Sequence, residues 1–307
     1  MSLSAEVREN LKKLISGDAL FDVMADHLTS LGVGGRIDAL VFPKNEAEVL
    51  CVADFLRAIR VPYIPVGNWT NLIVTDRGYR GVLVSLGRLN SLKCNDSEDG
   101  NICLEAEAGA PLSEAVRLCV KETLTGMEFC AGIPGSIGGA IRMNAGAYGG
   151  EIKDIVTSVR LVDAEGRIRV EPRDFLRFHY RNLDLPAETI IIGGAFHLRR
   201  GAGEEIAGRV REIIETRKEK HPLEFRNAGS VFKNPRDVPA GRLIEKAGLK
   251  GTRIGDAQVS EKHGNFIVNR GSATADAILR LVALVQKRVF ETTGNALELE
   301  VRIIGEP

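Results

Sequence analysis

One segment of the chain is unusually rich in glycine. It reads Gly-Ile-Pro-Gly-Ser-Ile-Gly-Gly from Gly132 to Gly139, and eight of the 25 residues from Gly126 to Gly150 are glycine. Because glycine lacks a Cβ, such a run turns at positive φ and admits another group close to the backbone. Successive N–H groups can then converge on anionic oxygens. The segment predicts a loop folded around a diphosphate, although it matches neither G-x-G-x-x-G nor G-x-x-x-x-G-K-[ST]. The alternative is a glycine-rich turn between strands.

A second segment offers three different polar groups within five residues. Ser230, Lys233 and Asn234 supply a hydroxyl, an ammonium and an amide, and Pro235 ends strand pairing after them. Because a serine hydroxyl is a very weak acid, Ser230 can act as a proton donor only toward a strongly basic carbanion or enolate. The alternative is a turn serine that satisfies a backbone group.

Two further segments carry charges that suit an anionic ligand. Arg181 follows Tyr180, and its guanidinium could hold a carboxylate through two parallel hydrogen bonds; a lone arginine is more often a surface ion-pair partner. Charged and apolar residues alternate from 297 to 303, which predicts a strand with its apolar set on the core. The other face carries Glu298, Glu300 and Arg302, and it is either a solvated surface or part of a site.

The elements that must position these residues mix helices and strands along the sequence. Apolar periodicity and end signals predict helices at 4–16, 45–59, 112–122, 204–218, 242–247 and 274–291. Strands are predicted at 37–42, 63–66, 82–86, 102–106, 156–163, 167–171, 189–198, 265–269 and 297–304. Residues 201–203 are a linker candidate, and the last third of the protein is expected to form its own domain.

The composition excludes several classes of protein. The chain has 307 residues and a formal net charge of zero, so it lacks the basic field of a nucleic-acid-binding protein. No stretch approaches the length of a membrane span, and the N-terminal helix lacks the apolar core of a signal peptide. The five cysteines and five histidines show neither C-x-x-C nor H-E-x-x-H spacing. We therefore expect a cytoplasmic monomer with buried free thiols, no bound metal, no nucleic-acid partner and no membrane insertion.

Six segments in order resemble one family over most of the sequence, from about residue 28 to residue 305. The family is that of the UDP-N-acetylenolpyruvoylglucosamine reductases, which are flavoenzymes of bacterial cell-wall synthesis. The segments that carry the resemblance are Thr29 to Gly35, Gly67 to Val74, Gly132 to Gly149, Tyr180-Arg181, Gly229 to Pro235 and Leu297 to Gly305. Few residues separate Arg181 from Ser230, so the protein resembles the shorter class of the family, which lacks an additional substrate-capping insertion.

The resemblance implies an α+β fold with three parts. Two subdomains would form a flavin-binding domain of the vanillyl-alcohol-oxidase-like (PCMH) type, and a third α/β subdomain would bind substrate. Residues 1–75 would hold the N-terminal helix and the first flavin subdomain. Residues 76–200 would form the second flavin subdomain, and residues 201–307 the substrate-binding subdomain.

The resemblance also implies a set of site residues. Arg181, Ser230 and Glu300 would be catalytic, with Glu300 preferred to Glu298 because it stands in the family's form of the motif, Glu300-Val301-Arg302. Contacts with FAD are expected at Gly67, Asn68, Thr70, Asn71, Leu72, Gly132, Ile133, Pro134, Gly135, Ser136, Ile137, Gly138, Gly139, Ala140, Asn144, Ala145, Gly146 and Ala147. Contacts with a UDP-sugar substrate are expected at Tyr180, Lys220, Lys233, Asn234, His263 and Arg302.

The implied reaction has two halves. NADPH would give a hydride to FAD, and the reduced flavin would give it to the double bond of an enolpyruvyl sugar. Arg181 would stabilise the negative charge of the resulting enolate, and Ser230 would protonate its carbon. Glu300 is expected to be protonated, or to orient Arg181 or a proton relay. The resemblance therefore implies that three residues far apart in the sequence converge beside the flavin.

Two positions depart from the family pattern, and two other functions remain open. Trp69 stands where the family usually has a small, glycine-like residue, and Gly32 stands where a basic residue is common. A flavin oxidase of the same superfamily would pass electrons to oxygen, but the segments around Ser230 and Glu300 argue against it. A non-catalytic flavin- or nucleotide-binding module is disfavoured because Arg181, Ser230 and Glu300 are all present.

Overall fold

A computed structural model describes residues 3–96, 101–186 and 188–306 of the protein. In these residues the α-helices are α1 (Ala5–Leu14), α2 (Glu46–Ala58), α3 (Leu112–Lys121), α4 (Ile137–Arg142), α5 (Gly203–Lys220), α6 (Ala240–Lys246) and α7 (Ala275–Thr293). The side chains of four residues accept a hydrogen bond from the backbone at helix N-termini, which satisfies N–H groups that have no partner within the helix. These four residues are Ser4, Asn45, Ser136 and Thr274. Within the described part, no helix has the length and apolar character needed to cross a membrane.

The strands of the described residues are short, apart from one of eleven residues. They are β1 (Ala19–Met24), β2 (Arg36–Val41), β3 (Tyr63–Val66), β4 (Leu72–Val74), β5 (Tyr79–Ser85), β6 (Leu92–Asp96), β7 (Ile102–Glu107), β8 (Leu124–Thr125), β9 (Gly146–Ala147), β10 (Gly150–Glu151), β11 (Val156–Val162), β12 (Ile168–Pro172), β13 (Phe178–His179), β14 (Asn182–Leu183), β15 (Ile190–Arg200), β16 (Arg226–Ser230), β17 (Arg253–Ile254), β18 (Ala257–Val259), β19 (Phe266–Asn269) and β20 (Arg302–Ile304). This mixture of helices and strands confirms the predicted α+β class.

The contacts within the protein divide it into two units whose segments alternate in the sequence. Unit 1 consists of Met1–Phe21, Ala39–Asn68 and Gly81–Thr216, and unit 2 consists of Asp22–Asp38, Trp69–Arg80 and Arg217–Pro307. Each unit has its own cluster of buried apolar side chains. The division into residues 1–75, 76–200 and 201–307 stays a prediction, and the contacts group 22–38 and 69–80 with the C-terminal segment.

An antiparallel sheet at the centre of unit 1 supports the glycine-rich segment. Its strand order is β12-β11-β15-β7-β6, and β8 also pairs with β15. Helix α4, which follows the glycine-rich loop, packs on β15. A Cβ on Gly194 of β15 would lie 2.8 Å from the Cδ1 of Ile141, so the absence of a side chain there allows α4 to approach the strand closely.

Unit 2 is built on a small antiparallel sheet and the long helix α7. The sheet has the order β16-β19-β18-β17, and α7 buries residues at helical spacing, among them Ile278, Leu281, Val282, Val285 and Val289. A separate parallel pair joins β4 to β20. This pair brings the segment after Asn71 against the C-terminal segment that carries Arg302.

All six predicted helices are confirmed with small shifts at their ends, whereas the predicted strand at 297–304 is wrong in its first part. Only Arg302–Ile304 is a strand. The N–H groups of Glu300 and Val301 both donate to the C=O of Val231, at 2.8 and 3.4 Å, and this irregularity breaks the alternation. Ile303 was predicted on the core face but is 38% exposed, and Ile304 is buried in its place.

Candidate functional site

The glycine-rich loop is anchored to unit 1 by its second half. The N–H of Ile137 donates to the C=O of Ala110 at 2.9 Å, and the N–H of Gly138 donates to the C=O of Ala108 at 2.8 Å. Both residues are buried. Ile137 and Gly138 therefore fix the loop on the protein, and their N–H groups are not donors for a ligand.

The first half of the loop leaves N–H groups available. Within the described residues, the N–H groups of Gly132, Gly135 and Ser136 donate to no protein acceptor. Gly132 and Gly135 have φ of +69° and +147°, which are conformations that glycine adopts without a steric penalty. Gly132 is exposed, Gly135 is half-buried and Ser136 is buried, so the N–H groups of Gly132 and Gly135 are the ones that a ligand can reach. This arrangement can bind an anion through the backbone.

A second predicted cofactor segment lies against this loop. The side-chain amide of Asn68 donates to the C=O of Gly135 at 3.1 Å. A Cβ on Gly67 would lie only 2.2 Å from the Oγ of Ser136, so no other residue fits at position 67 without a shift. Unit 1 therefore brings together Gly67, Asn68 and the glycine-rich loop, as their common assignment to one cofactor requires.

Arg181 is tied to a third predicted cofactor segment of unit 1. Its Nη2 donates to the C=O of Gly146 at 2.9 Å, and its guanidinium lies 4.9 Å from the ring centre of Tyr180. The buried amide of Asn144 donates to the C=O of His179 at 3.0 Å, so it holds the segment before Arg181. Residues 144–147 and 179–181 thus form one cluster with a cation at its edge.

Ser230 and Glu300 lie on adjoining segments of unit 2. Ser230 is the last residue of β16 and lies opposite Phe266. The residue after it, Val231, accepts a hydrogen bond from the N–H of Glu300 at 2.8 Å. Ser230 and Glu300 are both half-buried, so each is partly accessible to a ligand.

Asn71 connects Glu300 with Arg302. Its side-chain amide donates to the C=O of Glu300 at 3.1 Å, and its own C=O accepts from the N–H of Arg302 at 3.1 Å. Arg302 then pairs with Leu72 in the parallel ladder. Asn71 and Leu72, both predicted to contact FAD, therefore hold the segment that carries Glu300 and Arg302 in place.

Three other predicted substrate residues have different settings in unit 2. Lys233 forms an ion pair with Glu298 at 3.4 Å. The Oδ1 of Asn234 accepts from the N–H of Ala240 at 3.0 Å, so it helps to start α6. Lys220 is exposed at the C-terminal end of α5. Of these three residues, Lys233 also contacts the segment that carries Glu300 through its backbone, because its N–H donates to the C=O of Glu298 at 2.8 Å.

His263 packs in an aromatic cluster of unit 2. Its ring centre lies 5.5 Å from that of His221 and 4.9 Å from that of Phe266, and its Nδ1 accepts from the N–H of Asn265 at 3.2 Å. Burial lowers the pKa of His263. This shift favours the neutral imidazole, and a contact of His263 with substrate stays a prediction.

Because His221 belongs to the same aromatic cluster, we expect the protein to lose stability as the pH falls. Burial and the nearby guanidinium of Arg217 lower the pKa of His221 from 6.5 to about 4. Between these pH values the unfolded protein binds more protons than the folded protein, so the free energy of unfolding falls as the pH falls. We expect a His221 contribution of at most about 3 kcal/mol, measured by urea unfolding at pH 7, 6 and 5. H221F should lack this contribution, whereas H27Q, at an exposed histidine, should retain it.

The two departures from the family pattern have structural counterparts in unit 2. Trp69 has φ of +57°, which is a left-handed backbone conformation. This conformation costs a non-glycine residue about 1 kcal/mol. A Cβ on Gly32 would lie 2.6 Å from the Nη1 of Arg226. The guanidinium of Arg226 therefore lies beside Gly32, where many members of the family have a basic side chain at the glycine position itself.

One residue of this region was missed by the sequence reasoning. Asn265 begins the segment that was predicted only as a strand, yet its side chain is 3% exposed and bonds to both backbone groups of Phe232. The available signal was a polar amide at the start of an otherwise apolar run, Phe266 to Val268. A strand prediction alone assigns no role to such an amide.

Two family models match the protein. The model described as "FAD binding domain" matches residues 37–170. The model described as "UDP-N-acetylenolpyruvoylglucosamine reductase, C-terminal domain" matches residues 221–304. The first match includes the glycine-rich loop, and the second includes Ser230 and Glu300.

Curated relatives and a solved structure are similar to nearly the whole sequence. A UDP-N-acetylenolpyruvoylglucosamine reductase from Syntrophus aciditrophicus is 50% identical over 98% of this protein and 96% of its own length. One from Clostridium novyi is 39% identical over 100% of this protein and 99% of its own length. The crystal structure of the enzyme of that name from Thermus caldophilus superimposes with a TM-score of 0.80 at 34% identity, covering 95% of this protein and 100% of that one.

Proposed function

The chain belongs to the UDP-N-acetylenolpyruvoylglucosamine reductase family, and we propose that it reduces UDP-N-acetylglucosamine enolpyruvate to UDP-N-acetylmuramate with NADPH, in peptidoglycan precursor synthesis. The observation that carries this proposal is the hydrogen bond from the N–H of Glu300 to the C=O of Val231. It holds Ser230 and Glu300 on adjoining segments, as a shared role in proton delivery requires.

The residues of unit 1 fit FAD as the cofactor. The N–H groups of Gly132 and Gly135 suit the oxygens of its diphosphate, and Asn68 holds the loop through Gly135. The matched FAD-binding model spans this region. Residues 144–147 would hold a further part of the same cofactor beside Arg181.

FAD held by the glycine-rich loop would supply the hydride-transfer chemistry between NADPH and the enolpyruvyl double bond. Arg181 stabilises the negative charge that develops on the substrate carboxylate and the carbon next to it. Because a guanidinium has five N–H groups, Arg181 can be anchored at Gly146 and still donate to a carboxylate. Ser230 then gives its proton to the enolate carbon, which is basic enough to take it. Glu300, in its protonated form or as an orienting group, supports this transfer.

The setting of the cysteines supports a cytoplasmic location. None of the five, all of them in the described residues, forms a disulfide, and burial raises the pKa of Cys119 to about 12 and raises those of Cys94 and Cys103. Cys119 and Cys130 are buried as predicted, whereas that prediction is wrong for Cys51 and Cys94, which are exposed. Cysteines without disulfides suit a reducing compartment. Because every residue given a role here belongs to one polypeptide, the proposal needs only a monomer with the UDP-sugar as its partner.

Gly139 gives a direct test of the cofactor loop. It is exposed in α4, and a Cβ there would lie 3.5 Å from the nearest protein atom, the Oγ of Ser136, so G139A fits the protein. We expect G139A to weaken FAD binding at least tenfold, or about 1.4 kcal/mol, because the methyl group meets the cofactor. The Tm of the apoprotein should hold or rise, since alanine favours a helix over glycine.

Gly208 provides the matched control for this test, because it is also a helical glycine and a Cβ there meets nothing within 4 Å. G208A should leave FAD affinity unchanged in a titration followed by flavin fluorescence. Equal FAD affinity in G139A and the wild type would remove Gly139 from the cofactor site.

The function itself is tested with the purified protein. We expect bound flavin absorption and oxidation of NADPH that depends on the enolpyruvyl sugar. Reduced protein that reacts with oxygen but not with the sugar would indicate a flavin oxidase. Flavin absorption with no NADPH consumption in the presence of the sugar would indicate a binding module.

A further inference from the structure

The segment that carries Ser230 changes its strand partner directly after this residue. Up to Ser230 the segment pairs with β19, where Ser230 lies opposite Phe266. Beyond it, Phe232 lies opposite Leu299 in an isolated antiparallel bridge. Ser230 therefore stands at the junction of two pairings, where neither ladder alone fixes the backbone.

In the second pairing, the backbone N–H and C=O of one residue point away from the segment around Leu299. The N–H of Glu300 donates to the C=O of Val231, and the N–H of Lys233 donates to the C=O of Glu298, both at 2.8 Å. In an antiparallel pair, the residue between two such bonds directs its own N–H and C=O to the opposite side. Here that residue is Phe232, which is 1% exposed.

Asn265 bonds to both of these groups. Its Oδ1 accepts from the N–H of Phe232 at 3.0 Å, and its Nδ2 donates to the C=O of Phe232 at 2.8 Å. Its backbone carbonyl accepts from the N–H of Val231 at 2.9 Å. The side-chain amide of Asn265 thus bonds to Phe232 as a neighbouring strand would. Because these groups are buried, leaving either one without a partner would destabilise the protein.

We propose that Asn265 is a positioning residue that sets Ser230 and Glu300 for proton delivery, an inference that rests on the function proposed above. Asn265 acts through Val231 and Phe232. Val231 follows Ser230 directly, and its C=O holds the N–H of Glu300. A displacement of about 1 Å at a reacting group is enough to cost roughly 10²-fold in rate.

Asn269 is a matched control on the same strand. It is 5% exposed, and its amide also bonds to backbone groups on both sides. Its Oδ1 accepts from the N–H groups of Gly271 and Ala273, and its Nδ2 donates to the C=O of Leu31. It lies at the other end of β19, opposite Arg226.

The test compares N265D with N269D in the holoenzyme. Both variants keep the acceptor oxygen and lose the amide donor, which bonds to the C=O of Phe232 in Asn265 and to the C=O groups of Leu31 and Gly32 in Asn269. Stopped-flow absorption measures flavin reduction by NADPH and reoxidation by the enolpyruvyl sugar separately. We expect N265D to slow reoxidation about 10²-fold and to leave reduction unchanged, whereas N269D should change neither half-reaction.

A double variant distinguishes positioning from a general loss of structure. Because Asn265 is proposed to act through Ser230, N265D should cost little further reoxidation rate in an S230A background. The inference is overturned if N265D slows both half-reactions alike, if N269D slows reoxidation as much, or if the losses of N265D and S230A multiply. Where an aspartate variant does not fold, N265S and N269S are compared in the same way.

Amide hydrogen exchange adds a readout that needs no substrate. N265D should speed exchange at Glu300 and leave Arg226 protected, whereas N269D should not affect Glu300. Unchanged exchange at Glu300 in N265D overturns the inference. A wild-type protein that fails to react with the sugar overturns the proposed function instead, and the exchange result remains valid.

Discussion

Replacing Ser230 with alanine should leave the reduction of FAD by NADPH nearly normal and slow the reoxidation by the enolpyruvyl sugar by about 10²–10⁴-fold, the usual contribution of a general acid. The reason is the order of events in the proposed mechanism, in which Ser230 would act only after the hydride has left the flavin. Ser230 is half-buried at the end of β16, so the residue is partly accessible to a substrate. Stopped-flow absorption of the flavin in each half-reaction measures both rates.

The exposed Ser272 of unit 2 supplies a control for the loss of a hydroxyl. S272A should match the wild type in both half-reactions. Equal slowing of reduction and reoxidation in S230A would show that Ser230 supports the structure or the cofactor, and it would exclude Ser230 as the proton donor.

Local signals were sufficient to predict six of the seven α-helices in the described residues, whereas α4 was missed because its glycines predicted a loop. Thr274 begins α7 because its side chain accepts from the N–H of Ala277, and Gly294 ends the helix with φ of +71°, a conformation that glycine adopts without strain. Both residues can be recognised in the sequence, because capping depends on the helix and its immediate neighbours. The predicted helix at 274–291 is accordingly close to the observed Ala275–Thr293.

Pairings between distant segments could not be predicted from local patterns. Strand β4 pairs in parallel with β20, and parallel neighbours have no connecting turn that would indicate the partner. The interruption at Glu300 and Val301 likewise depends on a single remote acceptor, the C=O of Val231. The alternation of residue types around it indicates a continuous strand, so Ile303 was assigned to the wrong face.

In the candidate site, too, local sequence patterns predicted one part of the arrangement, and contacts between distant segments determine the rest. The glycine content predicted a cluster of backbone donors, but only tertiary contacts decide which donors a ligand can reach. The N–H groups of Ile137 and Gly138 are used by Ala110 and Ala108. Asn265 was missed because its function depends on a strand that changes partner far away in the sequence.

A lysine in place of Arg181 should reduce the rate of reoxidation by the sugar about 10²–10³-fold, as the loss of a positioned donor to a developing negative charge does in other enzymes. Arg181 has φ of +56°, and its Nη2 donates to the C=O of Gly146 at 2.9 Å. A planar guanidinium can keep this bond while a second edge of the group meets a carboxylate, whereas an ammonium is a point charge without that geometry. The positive charge is conserved in R181K, so a loss of rate reports geometry.

Arg177 is the matched control for R181K, because it is an exposed arginine on the same segment. R177K should behave as the wild type in both half-reactions. Reduction of FAD by NADPH should be little affected in R181K, since no enolate forms in that half-reaction. Full turnover by R181K would show that a charge at this position is sufficient, and the bond to Gly146 would then be a structural contact of unit 1 with no part in orienting the guanidinium.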